Sequence, residues 1–231
     1  MPGSAPASAK TAVGNFRQRM RRYTTLLVAE LLLILIYPFF SGPSARDNLP
    51  RALSVVVFCA ALFAVLGRGR KSWIAFLLGV PAILLRLIDL AEHLPVLQLA
   101  EQVLGLVFLV FVTGLLVWSI VSNPTVTADT LAGAVSGYLL IGITFGMAYM
   151  LIGHLRPGSF RNTLEPGKLM TPSEFSFFSF VTLTTVGYGD IVPWDAHARA
   201  LAIIESVIGI MYPAVLIGRL VGVHASKRGE S

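Results

Sequence analysis

Residues 184–190 read TTVGYGD, with two glycines flanking a tyrosine and an acid at the exit. Any chemistry here belongs to the main chain, because the stretch pairs no nucleophile with a base. For the carbonyl oxygens of successive residues to face one way, the backbone must alternate between dihedral regions that L-residues usually avoid. Gly187 and Gly189 enter those regions at little steric cost. A column of such oxygens replaces the water shell of a cation, which matters because a bare ion in a low dielectric costs on the order of tens of kcal/mol. Elsewhere the side chains offer less. The four histidines are scattered, and Cys59 is the only cysteine and lies in an apolar run. No metal-type Cys/His spacing occurs, and no nucleophile, base and orienting group converge, so neither an enzyme nor a cofactor is expected.

The elements that must hold this stretch are legible on both sides of it. Thr171, Pro172 and Glu174 form a capping box with proline at the first helical position, a specific helix start. The helix, with Phe177, Phe178 and Val181 on it, can run only to about Leu183 before the glycines arrive. About a dozen residues are too few to cross a bilayer and suit a re-entrant helix. Its C-terminal end aims partial negative charge at the glycine stretch. The non-helical backbone that follows lies at membrane depth, which lipid forbids unless protein or water surrounds it.

Composition demands a membrane. The chain has 231 residues, 55% of them hydrophobic and only 13% charged, more apolar matter than a soluble domain of this size can hide. Six apolar runs are expected as spans: Tyr23 to Phe40, Leu49 to Gly67 (with Arg51 snorkelling), Trp73 to Leu90, Val103 to Val121, Leu131 to His154 and Ala198 to Val223. The net charge of +6 forms no continuous patch that would suit nucleic acid. Basic residues instead gather at run ends. Eleven (Lys10, Arg17, Arg19, Arg21, Arg22, Arg68, Arg70, Lys71, Arg219, Lys227, Arg228) stand on one side against six (Arg46, Arg51, Arg156, Arg161, Lys168, Arg199) on the other. That excess puts both termini in the cytoplasm, which an even number of spans permits. A cleaved leader ending at SGPSA is disfavoured by the length of the first run, by Glu30 within it and by the lack of a clean small-x-small site.

TVGYG, Thr185 to Gly189, matches the signature filter of potassium channels, and SFFSFVTLTTVGYGDIVP resembles their pore helix, filter and outer mouth throughout. The resemblance implies an all-α membrane protein with six transmembrane helices, a re-entrant pore helix and selectivity filter, assembled as a four-fold symmetric tetramer in the cell membrane. It implies K+ sites made by the carbonyls of Thr185, Val186, Gly187 and Tyr188. The Thr185 hydroxyl would complete the innermost site, the Tyr188 ring would hold the diameter, Gly189 would close the filter and Asp190 would stand at the outer mouth. Tyr188, where less selective relatives carry an acid, argues for potassium. Two departures bear on inactivation: Val181 stands where some members carry an acid that interacts with the mouth aspartate, and Phe177 and Phe178 replace tryptophans. Glu205, at filter depth on the sixth span, needs a partner, sought around Thr182 or Thr184 behind the filter or on the fifth span. The resemblance places an inner-helix hinge at Gly209, and Pro213 adds a weak point one turn on. Gly133, Gly137, Gly142 and Gly146, with Gly218 and Gly222, read as close-packing stripes.

The expected plan is a cytoplasmic tail (1–22), a four-helix unit (23–121) like a voltage sensor without its arginines, a linker (122–130), a pore domain (131–223) and a short tail (224–231). The fourth run contains no arginine. Arg86 is the basic residue deep in the first four spans, and Asp89 one turn on would neutralise it, Glu30 joining them in a structural polar cluster. Steep voltage gating is therefore not expected. Only HASKRGES follows the last run, which leaves no room for a ligand-gating domain, and His224 is read as solvated rather than proton-sensing. The competing readings are a regulatory, non-conducting subunit and a membrane subunit of a potassium transporter. The latter would carry four filter-like loops in one longer chain.

Overall fold

The glycine stretch is held by one short helix wedged between two long ones. The computed structural model describes residues 22–40, 48–66, 72–92, 95–122, 127–167 and 169–229. Helix α1 (Arg22–Ile36) ends in a 3-10 turn, Tyr37–Phe40, and is followed by α2 (Asn48–Val65), α3 (Ser72–Glu92), α4 (Pro95–Ser122) and α5 (Ala128–Leu155). Then come β1 (Phe160–Asn162), the short helix α6 (Pro172–Leu183), β2 (Ile191–Pro193) and α7 (Ala196–Gly229). Four helical stretches among the described residues are long and apolar enough to cross a membrane: Ser72–Asp89, Leu97–Ser122, Ala128–Leu155 and Ala196–Arg219. The 15-residue α1 and the shorter apolar stretch Arg51–Val65 of α2 fall below that length.

Two of the long helices start earlier than their apolar runs suggest. Helix α4 begins at Pro95, not near Val103, because polar Gln98, Glu101 and Gln102 sit within its outer turns. Helix α5 begins at Ala128, where Thr127 caps it and Thr130 reaches back in a reciprocal box, so five residues separate α4 from α5. Of the linker expected over 122–130, Ser122 and residues 128–130 are helix and Thr127 is the cap, while 123–126 lie outside the described residues, as do residues 1–21 of the N-terminal tail and the basic positions Arg46, Arg68, Arg70, Lys71 and Lys168. So do the side chains of Gly222, His224, Lys227 and Arg228.

One apolar core joins α1 to α5: Leu26, Val57, Phe58, Ala61, Phe108, Leu109, Val112 and Leu140 are all nearly or fully buried in it. Helices α1 and α4 therefore pack directly on α5 of the same chain, and α2 and α3 pack on them. A second, aromatic cluster lies where α5, α6 and α7 meet the two strands, with Tyr149, Phe160, Phe175 and Phe178 packed edge-to-face at 5.0–5.5 Å. The strands were not anticipated in an all-α plan. They pair antiparallel, Phe160 opposite Pro193 and Asn162 opposite Ile191, and tie the segments before α6 and after the glycine stretch together.

The charges of the four-helix unit pair differently from the sequence-based expectation. Arg86 on α3 bonds Glu101 on α4 and the Ser54 hydroxyl on α2, with its guanidinium 4.6 Å from the centre of the Phe58 ring. Asp89 faces Arg51 instead, at 3.8 Å. Glu30 stands apart from both, buried on α1 beside Ser136 of α5 without an aligned hydrogen bond to it. Helical neighbours three residues apart lost to a better-placed partner on the next helix.

Candidate functional site

Helix α6 starts as its sequence dictates. The Thr171 hydroxyl accepts from the Glu174 N–H at 3.3 Å, and a Glu174 carboxylate oxygen accepts from the Thr171 N–H at 2.6 Å. Glu174 does more than cap: its other oxygen accepts from the Asn162 side chain at 3.1 Å, joining the helix start to β1. Asn162 in turn accepts the N–H groups of Leu164 and Glu165.

At the other end, Thr184 closes α6 with helical dihedrals, its N–H on the Phe180 carbonyl. Beyond it, every second residue takes a positive φ: Thr185 at 59°, Gly187 at 59° and Gly189 at 80°. Thr185 is the only non-glycine residue of this kind among those described. That conformation costs a β-branched residue about 1–2 kcal/mol, and no pattern in the sequence marks Thr185 for it. Hydrogen bonds hold it: Thr185 N–H donates to the Thr182 carbonyl at 3.0 Å, and the N–H groups of Val186 and Gly187 both donate to the Val181 carbonyl, at 3.0 and 3.4 Å.

Those donors fix the direction of the oxygens. In a trans peptide the carbonyl points opposite to the N–H that follows it, and no peptide among those described is cis. Since the N–H groups of Val186 and Gly187 turn back towards α6, the carbonyls of Thr185 and Val186 turn away from it. The stretch is exposed throughout residues 184–189, with Val186 at 53% and Tyr188 at 71%. The Tyr188 ring stacks on Phe177 of α6, the planes 2° from parallel and the centroids 6.1 Å apart. Past the stretch, Thr163 donates from its N–H to the Asp190 carbonyl at 2.7 Å and from its hydroxyl to the carbonyls of Gly189 and Asp190. The Asp190 carboxylate accepts the Ile191 N–H at 3.0 Å.

Outside the apolar segments, Asp195 lies 3.9 Å from Arg156 and 3.0 Å from His197. Desolvation pushes its carboxyl up, but hydrogen bonds from the ring and backbone of His197, with the charges of His197 and Arg156, outweigh this and hold it below the usual carboxylate range. The Arg161 guanidinium lies over the Trp194 ring, 3.4 Å from its centre.

Helix α7 touches α6 at two points. Gly209 lies so close to the end of α6 that a Cβ there would stand 1.9 Å from the Leu183 carbonyl oxygen. The same oxygen accepts from the Tyr138 hydroxyl of α5 at 3.2 Å. Helix α7 runs unbroken through Gly209 and Pro213. Because proline has no N–H, the carbonyl it deprives, four residues back, is that of Gly209, so contact and weak point coincide.

Glu205 is the second point. It is fully buried, and its partners are the Tyr149 hydroxyl of α5 and the Ser179 hydroxyl of α6, each at 2.5 Å. Of the partners sought from sequence, Thr182 and Thr184 do not reach it, whereas Tyr149 lies on the fifth span that was the alternative. Thr184 is occupied with the Phe180 carbonyl at 2.6 Å. Tyr149 and Ser179 lie 56 and 26 residues away in sequence, and the only signal for them was that an acid at that depth needs a donor.

Residues 135–224 match the family model described as "Ion channel". Protein LctB of Bacillus caldotenax is 33% identical over 125 residues, which cover 49% of this chain and 92% of that protein. LctB of Geobacillus stearothermophilus is 30% identical, over 48% of this chain and 84% of that protein. The inward rectifier potassium channel Kirbac3.1 of Paramagnetospirillum magnetotacticum is 32% identical over 34% of this chain and 24% of its own. No solved structure matches. The chain is a membrane protein that belongs to the same family as the LctB proteins, and its C-terminal half carries a region that matches an ion channel family model.

Proposed function

We propose that the chain is one subunit of a four-fold symmetric, potassium-selective channel that conducts K+ passively across the cell membrane. In this reading the carbonyls of Thr185, Val186, Gly187 and Tyr188 hold the ion, with Gly189 completing the contour and Asp190 at the outer mouth. One observation carries it: positive φ at residues 185, 187 and 189, with the N–H groups of Val186 and Gly187 turned back onto Val181, leaves the consecutive carbonyls of Thr185 and Val186 facing away from α6 in an exposed stretch. A single strand of oxygens cannot surround an ion, so several copies must share an axis. Similarity of about a third of the chain to potassium channels supports K+ as the ion.

In this reading helices α1 and α2 serve as the first two of six spans, which places both termini in the cytoplasm. The unit they begin is not a steep voltage sensor. Helix α4 has no arginine or lysine, and Arg51 and Arg86 are each engaged by an acid of another helix.

Purified protein in liposomes, with a K+ gradient and Na+ as control, tests the reading. Barium-blocked K+ flux at least tenfold above Na+ flux is expected. Equal fluxes would remove the selectivity claim, and no flux from the protein alone would favour a regulatory subunit.

A further inference from the structure

Three helices meet at one buried carboxyl, and the hydrogens on the side chains around it do not add up unless it supplies one. The Tyr149 hydroxyl donates to one Glu205 oxygen at 2.5 Å. The Ser179 hydroxyl lies 2.5 Å from the other Glu205 oxygen and 2.7 Å from the Gly142 carbonyl oxygen on α5. A serine hydroxyl has one proton. It can serve Gly142 or Glu205, not both, and two electronegative atoms at 2.5 Å without a proton between them repel. With Glu205 ionised, three close contacts would share two protons.

The surroundings give a carboxylate no other support. Glu205 is fully buried, and the groups that act on it are the Ser179 and Tyr149 hydroxyls, with no cation among them. The titratable groups that face it from α5 are two neutral phenols, Tyr149 and Tyr138. Helix α6 offers Ser179 at this level, its only acid, Glu174, being engaged at the far end by Thr171 and Asn162. Burying an unpaired charge is costly, and a neutral acid avoids that cost.

We infer that Glu205 is a hydrogen-bond donor: its carboxyl proton goes to Ser179, whose own proton goes to the Gly142 carbonyl, while Tyr149 donates to the free carboxyl oxygen. The chain of three bonds then satisfies every member and ties α7, α6 and α5 together one turn above Gly209. Glu205 is thus a positioning residue. It touches no ion, but it fixes α6, whose last carbonyls hold the N–H groups of Thr185, Val186 and Gly187. Its bearing on conduction rests on the channel reading above, whereas the proton assignment rests on the geometry alone.

Infrared spectroscopy of the whole protein in lipid at neutral pH tests it. The difference spectrum of wild type minus Glu205→Gln should show the loss of a protonated-carboxyl C=O band. Loss of an ionised-carboxylate band in its place would overturn the inference. Should the Gln variant fail to assemble, Ser179→Ala removes the acceptor and must shift the same band, and an unmoved band overturns the inference equally. Glutamine keeps a donor towards Ser179 and alanine does not. Glu205→Gln should therefore hold its K+ current as wild type does, and Glu205→Ala should lose it about tenfold faster. Equal decay in both variants would deny the donor a role in positioning. A protein that shows the band but passes no ion would retain the proton and lose the channel reading.

Discussion

The Leu183 carbonyl oxygen takes a hydroxyl from one side and a glycine from the other, and this small contact decides what Gly209 is for. A methyl group at 209 would meet a main-chain atom at 1.9 Å, and a main-chain atom at the end of a packed helix cannot step aside as a flexible side chain would. Gly209→Ala should therefore cost about 1–3 kcal/mol or more through overpacking. It should lower the thermal midpoint of the assembled protein by several degrees, and an unchanged midpoint would mean that α7 slides freely past α6. Tyr138→Phe, which only removes a hydroxyl from the same oxygen, should cost about 1 kcal/mol. The family resemblance singled out Gly209, but as a hinge. Its contact partner lies 26 residues earlier, across a fold that no local pattern encodes. The missing i+4 donor at Pro213 keeps the hinge reading in play, since the bond it removes is the one that Gly209 would have accepted. Thr185 was equally opaque: glycine advertises positive φ, whereas threonine adopts it only because three N–H groups and the end of α6 leave no alternative.

At the scale of elements, what was local was legible. The start of α6 was readable because capping is a contest among four adjacent residues, and Thr171→Ala should cost about 1 kcal/mol, seen as faster hydrogen exchange in the first turn of α6 and an unchanged rate in α5. The strands β1 and β2 were not readable. Three residues are too few to show a period of two, and their register joins positions 29 to 33 apart. The same holds for the charges on α2 to α4. The i, i+3 rule favoured Asp89 as the partner of Arg86, but tertiary packing brought Glu101 from α4 to it and gave Asp89 to Arg51. Removing Glu101 alone, as Glu101→Leu, strands the guanidinium and should cost about 3–5 kcal/mol, while Arg86→Leu with Glu101→Leu should recover most of it. Unfolding midpoints of the three proteins measure this, and a double variant no better than the single would show that the pair itself contributes stability.

Taken whole, the chain is unfinished. Along α7, Ile203, Ile204, Val207, Ile210, Met211, Val215 and Ile217 are each more than half exposed, an apolar surface that lipid or other copies of the chain must cover. The exposed residues 185–188 lie beyond the same end of α6. The four-helix unit, by contrast, is already packed on α5 of its own chain, and the short connection after α4 keeps it there. A pore built this way should respond weakly to voltage. Each charge moved across the field contributes about 2.3 kcal/mol per 100 mV, and with Arg86 and Arg51 engaged by acids, open probability should change less than about tenfold between −100 and +100 mV. The central claim is that four copies aim the carbonyls of Thr185, Val186, Gly187 and Tyr188 at a shared axis around potassium. An anomalous difference map from crystals of the whole protein grown in thallium, which substitutes for potassium, tests it most directly. The account predicts a column of thallium peaks on a four-fold axis, coordinated by those oxygens. Peaks elsewhere, or a glycine stretch remote from any symmetry axis, would contradict it.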